Sequence, residues 1–382
     1  MQQKPQDLQE ILTQDYRYLH QHPELSFQET ETTAWLRARL GALGIEILDT
    51  GLSTGLVAII RGDQAGKTVA LRADIDALPV HEETALPYVS VSQGVMHACG
   101  HDFHTTALLG AARLLQQDRA NLKGSVKLVF QPAEEHSGGA ILVLGTGILS
   151  DVSEIYGLHV MPMIPSGAVA LRAGANHAAV GWFTIRITGR GGHAALPHTC
   201  ADPIVALGQL IGALQTVVSR TVNPFENAVV SVTHVNAGST WNVIPGEAFL
   251  EGTFRVFSNE LATVVSDRIT SICSGVAQSS GTEISLDWKV TTAATNNASE
   301  LVSFAADTAR SLGLTLTDDL LTMTGEDFAE YQRTIPGVFV HFGVGGDKPL
   351  HHPSFLADET QLSRAARYLA YLASKSLERL QQ

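Results

Sequence analysis

Cysteine is scarce in this chain: 382 residues hold three, Cys99, Cys200 and Cys273. An odd, sparse set argues against a disulfide framework and for a reducing compartment. Cys200 and Cys273 read as inert. Basic residues are few as well. The chain has 25 Lys and Arg against 38 Asp and Glu, a net charge of −13, which argues against non-specific nucleic-acid binding and reads as solubility. The first ten residues are polar and contain no apolar core of a signal peptide, and no run reads as long enough to span a membrane. The expectation is a cytoplasmic protein. Internal repeats and low-complexity tracts are absent from the sequence. What is present is an ordinary globular balance, 45% hydrophobic and 16% charged. The length exceeds one comfortable core, so two domains are expected.

The most informative stretch is His97-Ala98-Cys99-Gly100-His101-Asp102, with His104 two residues on. A thiol, imidazoles and a carboxylate lie within a few residues of one another. All bind divalent metal, and thiolate with imidazole favours zinc, nickel, cobalt or copper over magnesium or calcium. A small buried cysteine beside surface histidines is the bland reading. A metal site needs more ligands, so the rest of the chain decides.

Helices are expected at 6–21 and 29–43, the second closed by Gly44. His20 and His22 fall at the end of the first, where a solvated helix end is as good a reading as a role. Apolar runs at 55–61 and 68–73 suit strands buried on both faces. The second ends in Asp74 and Asp76, which mark either a turn or a site. A helix is expected at 105–117. Ser125–Phe130 runs into Gln131-Pro132-Ala133-Glu134-Glu135, Glu154–Leu158 into His159, and Gly337–Phe342 into a glycine-rich loop before His351 and His352. Each strand thus ends at an acid or a histidine. In α/β sheets the crevice beyond the carboxyl ends of the strands is where ligands bind.

The middle differs. Trp182–Thr188 alternates polar and apolar residues, Asp202-Pro203 caps a helix reaching about Val222, and strands follow at 228–233 and 248–254. A helix at 259–277 and a strand at 283–288 complete a βαββαβ order, the ferredoxin-like unit on one antiparallel sheet. The domains are therefore expected as 1–176 with 291–382, an α/β catalytic part on a mixed sheet, and 177–290, an inserted α+β unit.

Seven motifs carry a family likeness: His97–Asp102, Gln131–Glu135, Gly157–His159, Gly189–Ala195, Asn242–Pro245, Gly325–Phe328 and Leu350–Pro353. In this order they resemble the M20 metallopeptidases. The cysteine in the first resembles the amidohydrolase branch, its subfamily D, which includes hippurate hydrolases, auxin-conjugate hydrolases and N-acetyl-diaminopimelate deacetylases. The likeness runs from about Tyr16 to the last helix.

That resemblance implies a metallopeptidase-type catalytic domain with an inserted ferredoxin-like lid and dimerisation domain. It implies two divalent metal ions per subunit, manganese or zinc foremost, with nickel and cobalt as alternatives. Their ligands would be Cys99, His101, Glu135, His159 and His351, His351 being preferred to His352 because the ligand follows the leucine. Five ligands over two ions leave room for water and substrate. Glu134 would be the general base for a hydroxide shared between the ions. Asp76 would orient a ligand histidine. His193 would stabilise the oxyanion in a neighbouring subunit's site. Asn242 and Arg255 would hold the substrate carboxylate or the tetrahedral oxygen. Glu326 and Asp327 are left out of the site, as a helix cap explains them equally well. The implied reaction is hydrolysis of an N-acyl amino acid, a small molecule, by a homodimer. A dipeptidase or aminopeptidase using the same metals, and a non-catalytic metal-binding relative, are the alternatives. The intact Glu134 speaks against the last.

Overall fold

The computed structural model describes residues 7–318 and 321–381. They fall into two compact units. Ala175–Thr295 together with Leu321–Glu326 form one, and the remaining described residues form the other. The sequence reading left 321–326 with the first domain. These residues instead lie against the start of the second: Thr322 N–H donates to Asn176 O at 2.9 Å and Ala178 N–H to Thr324 O at 3.0 Å.

The first unit is built on an eight-stranded mixed sheet. From edge to edge its strands are Glu46–Ile47, Leu56–Arg61, Lys123–Gln131, Gln64–Asp74, Val152–Met161, Gly337–Gly343, Ala168–Ala170 and Thr315–Thr317. Lys123–Gln131, Gln64–Asp74, Val152–Met161 and Gly337–Gly343 are mutually parallel, so four carboxyl ends open at one edge. The apolar runs are continuous because both faces are covered. Val69, Leu71, Leu128, Phe130, Tyr156 and Leu158 pack into the core shared with the helices Leu8–Gln21, His101–Gln117 and Leu362–Arg379. Their neighbours Ala70, Val129 and Ile155 face the other way, onto Val143, Phe328, Tyr331 and Phe339.

The second unit has a four-stranded antiparallel sheet in the order Glu283–Thr292, Ala179–Thr188, Glu247–Val256, Ala228–Ala237. The helices Pro203–Thr221 and Asn259–Ser280 pack on it. This is the ferredoxin-like order read from the sequence. Asp202 caps the first helix by accepting from Ile204 N–H at 2.8 Å, and Ser258 caps the second. The reading that no run is long enough to span a membrane needs one correction. Pro203–Thr221 has the length and apolar composition of a span. Its Leu207, Leu210, Leu214 and Val217 are spent on the core of this unit.

Candidate active site

The helix expected to begin at Thr105 begins four residues earlier, at His101. Gly100 precedes it with φ +86°, and a Cβ there would lie 2.3 Å from Val160 Cγ2. Both the left-handed turn and the close approach call for glycine. The turn sets Cys99 and His101 on either side of it, buried to 7% and 0% exposure. His101 and His104 are three apart on one helical face. His101 Nδ1–H donates to Asp76 O at 2.9 Å, which leaves the Nε2 lone pair for another partner.

Glu134 and Glu135 follow the strand Lys123–Gln131 through a turn with Ala133 at φ +51°. The buried Glu29 carboxylate secures that turn by accepting Ala133 N–H at 2.7 Å. Asp76 holds the next two residues: its carboxylate accepts Glu134 N–H and Glu135 N–H, each at 3.0 Å, and the Ser26 hydroxyl at 2.6 Å. Burial alone would raise the Asp76 pKa, but the His101 hydrogen bond and charge and these donors hold it below the ordinary value. A turn acid, the bland reading, would not be wholly buried.

His159 lies near the end of its strand with Nε2 3.5 Å from Cys99 Sγ and Nδ1–H donating to Val160 O at 2.8 Å. His351 has φ +66° and donates its N–H to Ala98 O at 2.8 Å. That bond ties a loop late in the chain to the cysteine–histidine stretch. His351 Nε2 lies 3.4 Å from Glu135 Oε1, and Glu135 Oε1 lies 3.8 Å from His101 Nε2. His352 turns its Nδ1 to Ser354 N–H at 3.0 Å, so it is His351 that shares the cluster.

Ligand atoms of Cys99, His101 and His159 lie within 4.8 Å of one another, as do those of Cys99, Glu135 and His351, and of His101, Glu134 and Glu135. His101 Nε2 and Glu135 Oε1 are buried and make no hydrogen bond. Unpartnered buried atoms of this kind are costly unless something else satisfies them. Thiol, imidazole and carboxylate donors in overlapping triads fit two divalent cations. Burial, with the Glu135 carboxylate, pushes the Cys99 thiol well above its ordinary pKa, so binding a cation there entails loss of the thiol proton.

Around this cluster runs a network that sequence reasoning missed. The buried Arg72 donates to Asp74 Oδ2 and Gln131 Oε1, each at 2.8 Å. Gln131 Nε2–H donates to Asp327 Oδ2 at 3.0 Å, which also accepts Ala140 N–H at 2.9 Å. Asp327 N–H reaches Glu134 Oε1 at 3.3 Å. Asp327, left out of the site because a helix cap explained it equally well, therefore holds the loop that carries Glu134. Asp74 accepts His104 Nδ1–H at 2.6 Å, and His104 Nε2 accepts Val160 N–H at 2.9 Å, fixing the backbone beside His159. His20 is no solvated helix end. It is buried between Asp102 at 2.7 Å and Glu82 at 3.1 Å.

In the second unit, the structure brings His193 and Asn242 together and leaves Arg255 apart. Gly192–His193 pairs with Val243–Ile244 in a two-stranded ribbon, and Ala194 N–H donates to Asn242 O at 3.1 Å. Both side chains are exposed. Arg255 sits near the far end of Glu247–Val256, half-buried, with Nη1–H on Phe254 O at 2.8 Å.

The family model of peptidase family M20/M25/M40 matches residues 70–375. An N-acetylcysteine deacetylase of Bacillus subtilis strain 168 is 46% identical over 363 residues, covering 95% of this chain and 96% of that protein. A hippurate hydrolase of Campylobacter jejuni is 37% identical over 377 residues, covering 97% and 98%. The crystal structure of a Bacillus subtilis dinuclear metal-binding peptidase of the M20 family matches at 43% identity and TM-score 0.89, covering 97% and 99%. Fold, donors and relatives together define a metal-dependent amidohydrolase. The chain belongs to peptidase family M20/M25/M40, in its amidohydrolase branch.

Proposed function

We propose that this amidohydrolase cleaves the amide bond of N-acyl amino acids, releasing a carboxylic acid and a free amino acid. The observation that carries the reading is Glu134, grouped with His101 and Glu135 and held by Asp76 and Asp327. Cys99, His101, Glu135, His159 and His351 would hold two divalent ions per subunit, manganese or zinc first, nickel or cobalt otherwise. When bound, such ions polarise the amide carbonyl and lower the pKa of the attacking water. Glu134 takes a proton from that water and delivers it to the leaving nitrogen. Asp76 and Val160 O, through the Nδ1 atoms, keep His101 and His159 turned with Nε2 towards the cluster. The relatives named for N-acetylcysteine and for hippurate, both N-acyl amino acids, support the substrate class.

His193 would donate to the oxyanion, and Asn242 and Arg255 would hold the tetrahedral oxygen or the substrate carboxylate. Glu247 and Arg255 lie at opposite ends of one strand, about 26 Å apart at a strand's rise per residue. His193 and Asn242 are at the Glu247 end: Asn242 lies five residues before Glu247, and His193 five residues after Thr188, the residue paired with Glu247. A small substrate cannot touch both ends of one sheet. A two-fold dimer resolves this, with His193 and Asn242 from one subunit and Arg255 from the other. The three free cysteines fit a reducing, cytoplasmic setting.

The test is a panel of N-acyl amino acids and dipeptides offered to the manganese- or zinc-loaded enzyme. Faster turnover of N-acyl amino acids is expected. A preference for dipeptides with a free amine would overturn the reading.

A further inference from the structure

Phe27 stands where a bulky side chain is disfavoured. Its φ is +64°, the left-handed region, where a large residue is a genuine outlier. Core packing does not hold it there, because Phe27 is 45% exposed. The flanking backbone does. Leu25 bridges Ala77, Ala77 N–H donates to Glu24 O at 2.8 Å, and Gln28 N–H donates to Leu25 O at 2.9 Å. The Ser26 hydroxyl is fixed on Asp76 Oδ2 at 2.6 Å.

That Asp76 carboxylate also receives Glu134 N–H and Glu135 N–H. One buried group therefore places Phe27 and the two glutamates in a single frame. On the other side the Phe27 ring meets the ring of His136, edge to face, with centroids 5.4 Å apart at 67°. His136 is exposed and follows Glu135 directly. An apolar ring is thus held out beside a cluster that is otherwise thiol, imidazole and carboxylate, at a conformational cost no core contact explains.

We propose that Phe27, edged by His136, is the platform for the acyl group of the substrate and sets the enzyme's preference among acyl groups. The inference rests on the N-acyl amino acid reading above and deepens it. Such a substrate has an anionic end and an acyl end. Phe27 offers no charge to a carboxylate, but its face and edge fit an apolar chain or a ring. The acyl groups favoured are those with an aromatic or extended aliphatic body.

The experiment measures kcat/KM of the metal-loaded enzyme for N-acetyl, N-hexanoyl and N-benzoyl derivatives of one amino acid, and for N-acetyl derivatives of a series of amino acids. Phe27→Ala is expected to lower the benzoyl-to-acetyl ratio by roughly tenfold, the scale on which apolar pockets discriminate. His136→Ala lowers it less, and Phe27→Tyr restores it. Phe27→Gly, which relieves the positive φ, should lower the ratio likewise without lowering Tm. A ratio unchanged in Phe27→Ala overturns the platform and leaves the N-acyl reading standing. So does a change that follows the amino-acid side chain instead of the acyl group. A Phe27→Gly that loses Tm and turnover equally on every substrate makes Phe27 a structural residue and overturns the proposal. No turnover of any N-acyl amino acid by the wild type overturns the underlying reading and the platform with it.

Discussion

The two units hold their chemistry in opposite ways. In the first, Cys99, His101 and His159 are buried, and both histidines have Nδ1 committed to a backbone carbonyl. Glu134 and Glu135 are pinned by one carboxylate. In the second, His193 and Asn242 ride an exposed two-stranded ribbon. Their neighbours Leu196, Trp241 and Val243 are exposed to 50%, 91% and 49%. The first set is organised before any ligand arrives, and low mobility is what lets charge be met without rearrangement. The second set has its side chains in solvent with local bonds: His193 Nδ1 accepts Ala195 N–H at 3.1 Å and Asn242 Oδ1 accepts the Thr240 hydroxyl at 3.2 Å.

The sharpest way to break this contrast is Glu134→Gln. It should keep fold and metal content while turnover falls by roughly 10²–10⁴, the usual worth of a general base. Metal analysis beside kinetics checks it, and activity within about tenfold of wild type would remove Glu134 from that role.

Next comes His193→Ala, with an expected loss of about 10²–10³, as for an oxyanion donor. Mixing it with Glu134→Gln under subunit exchange should restore activity, since some heterodimers hold one intact site. Exchange verified by mass without recovery, or a fully active monomer, would put His193 in its own chain's site or outside catalysis.

The buried side of the comparison is sharpened by pH. Burial disfavours the charged form of His20, but its hydrogen bonds to Asp102 and Glu82 outweigh that and raise its pKa to about 9 from an ordinary 6.5. A raised histidine stabilises fully below 6.5, and the contribution disappears as pH climbs through about 9. The loss should be roughly 3 kcal/mol at 1.4 kcal/mol per pH unit. Urea midpoints between pH 6 and 10 should fall for wild type and stay flatter for His20→Gln; parallel curves would refute the buried ion pair.

The last test is Cys99→Ser, which should weaken metal binding, because a hydroxyl replaces the soft thiolate donor. Because the metal-free thiol is buried and holds its proton, the check is the proton released on loading, of which wild type should give more than Cys99→Ser. Equal proton release from the two would show that Cys99 is not a ligand.

The residues that the fold gathers around Cys99 stood out in the sequence because each breaks a local rule. A cysteine beside histidines, paired glutamates after an apolar strand and a histidine ending another all stand out against their surroundings. The ferredoxin-like order was legible because alternation, caps and turns agree there. Arg72 was not legible: it lies inside an apolar run that was read only as a buried strand, and the fold brings Gln131 and Asp74 to it. Asp327 likewise satisfied a local explanation that concealed its contact with Glu134. His20 could be read equally as a solvated helix end or as a residue with a role, because its partners lie 62 and 82 residues away. Phe27 gave no signal, since a positive φ at phenylalanine is invisible in composition and pattern.

The place of Gly337–Gly343 has a consequence for the order in which the molecule is born. This strand lies between Val152–Met161 and Ala168–Ala170 in the first sheet, yet the ribosome makes it more than 160 residues after them. Until it emerges, the strand that ends near His159 has a bare hydrogen-bonding edge, which invites mispairing. The segment Ala175–Thr295 is contiguous, with its own core, and can fold while synthesis continues. His351 follows the late strand by only eight residues. The nascent chain therefore carries most of its second unit, all but Leu321–Glu326, well before His351 can join the residues gathered around Cys99.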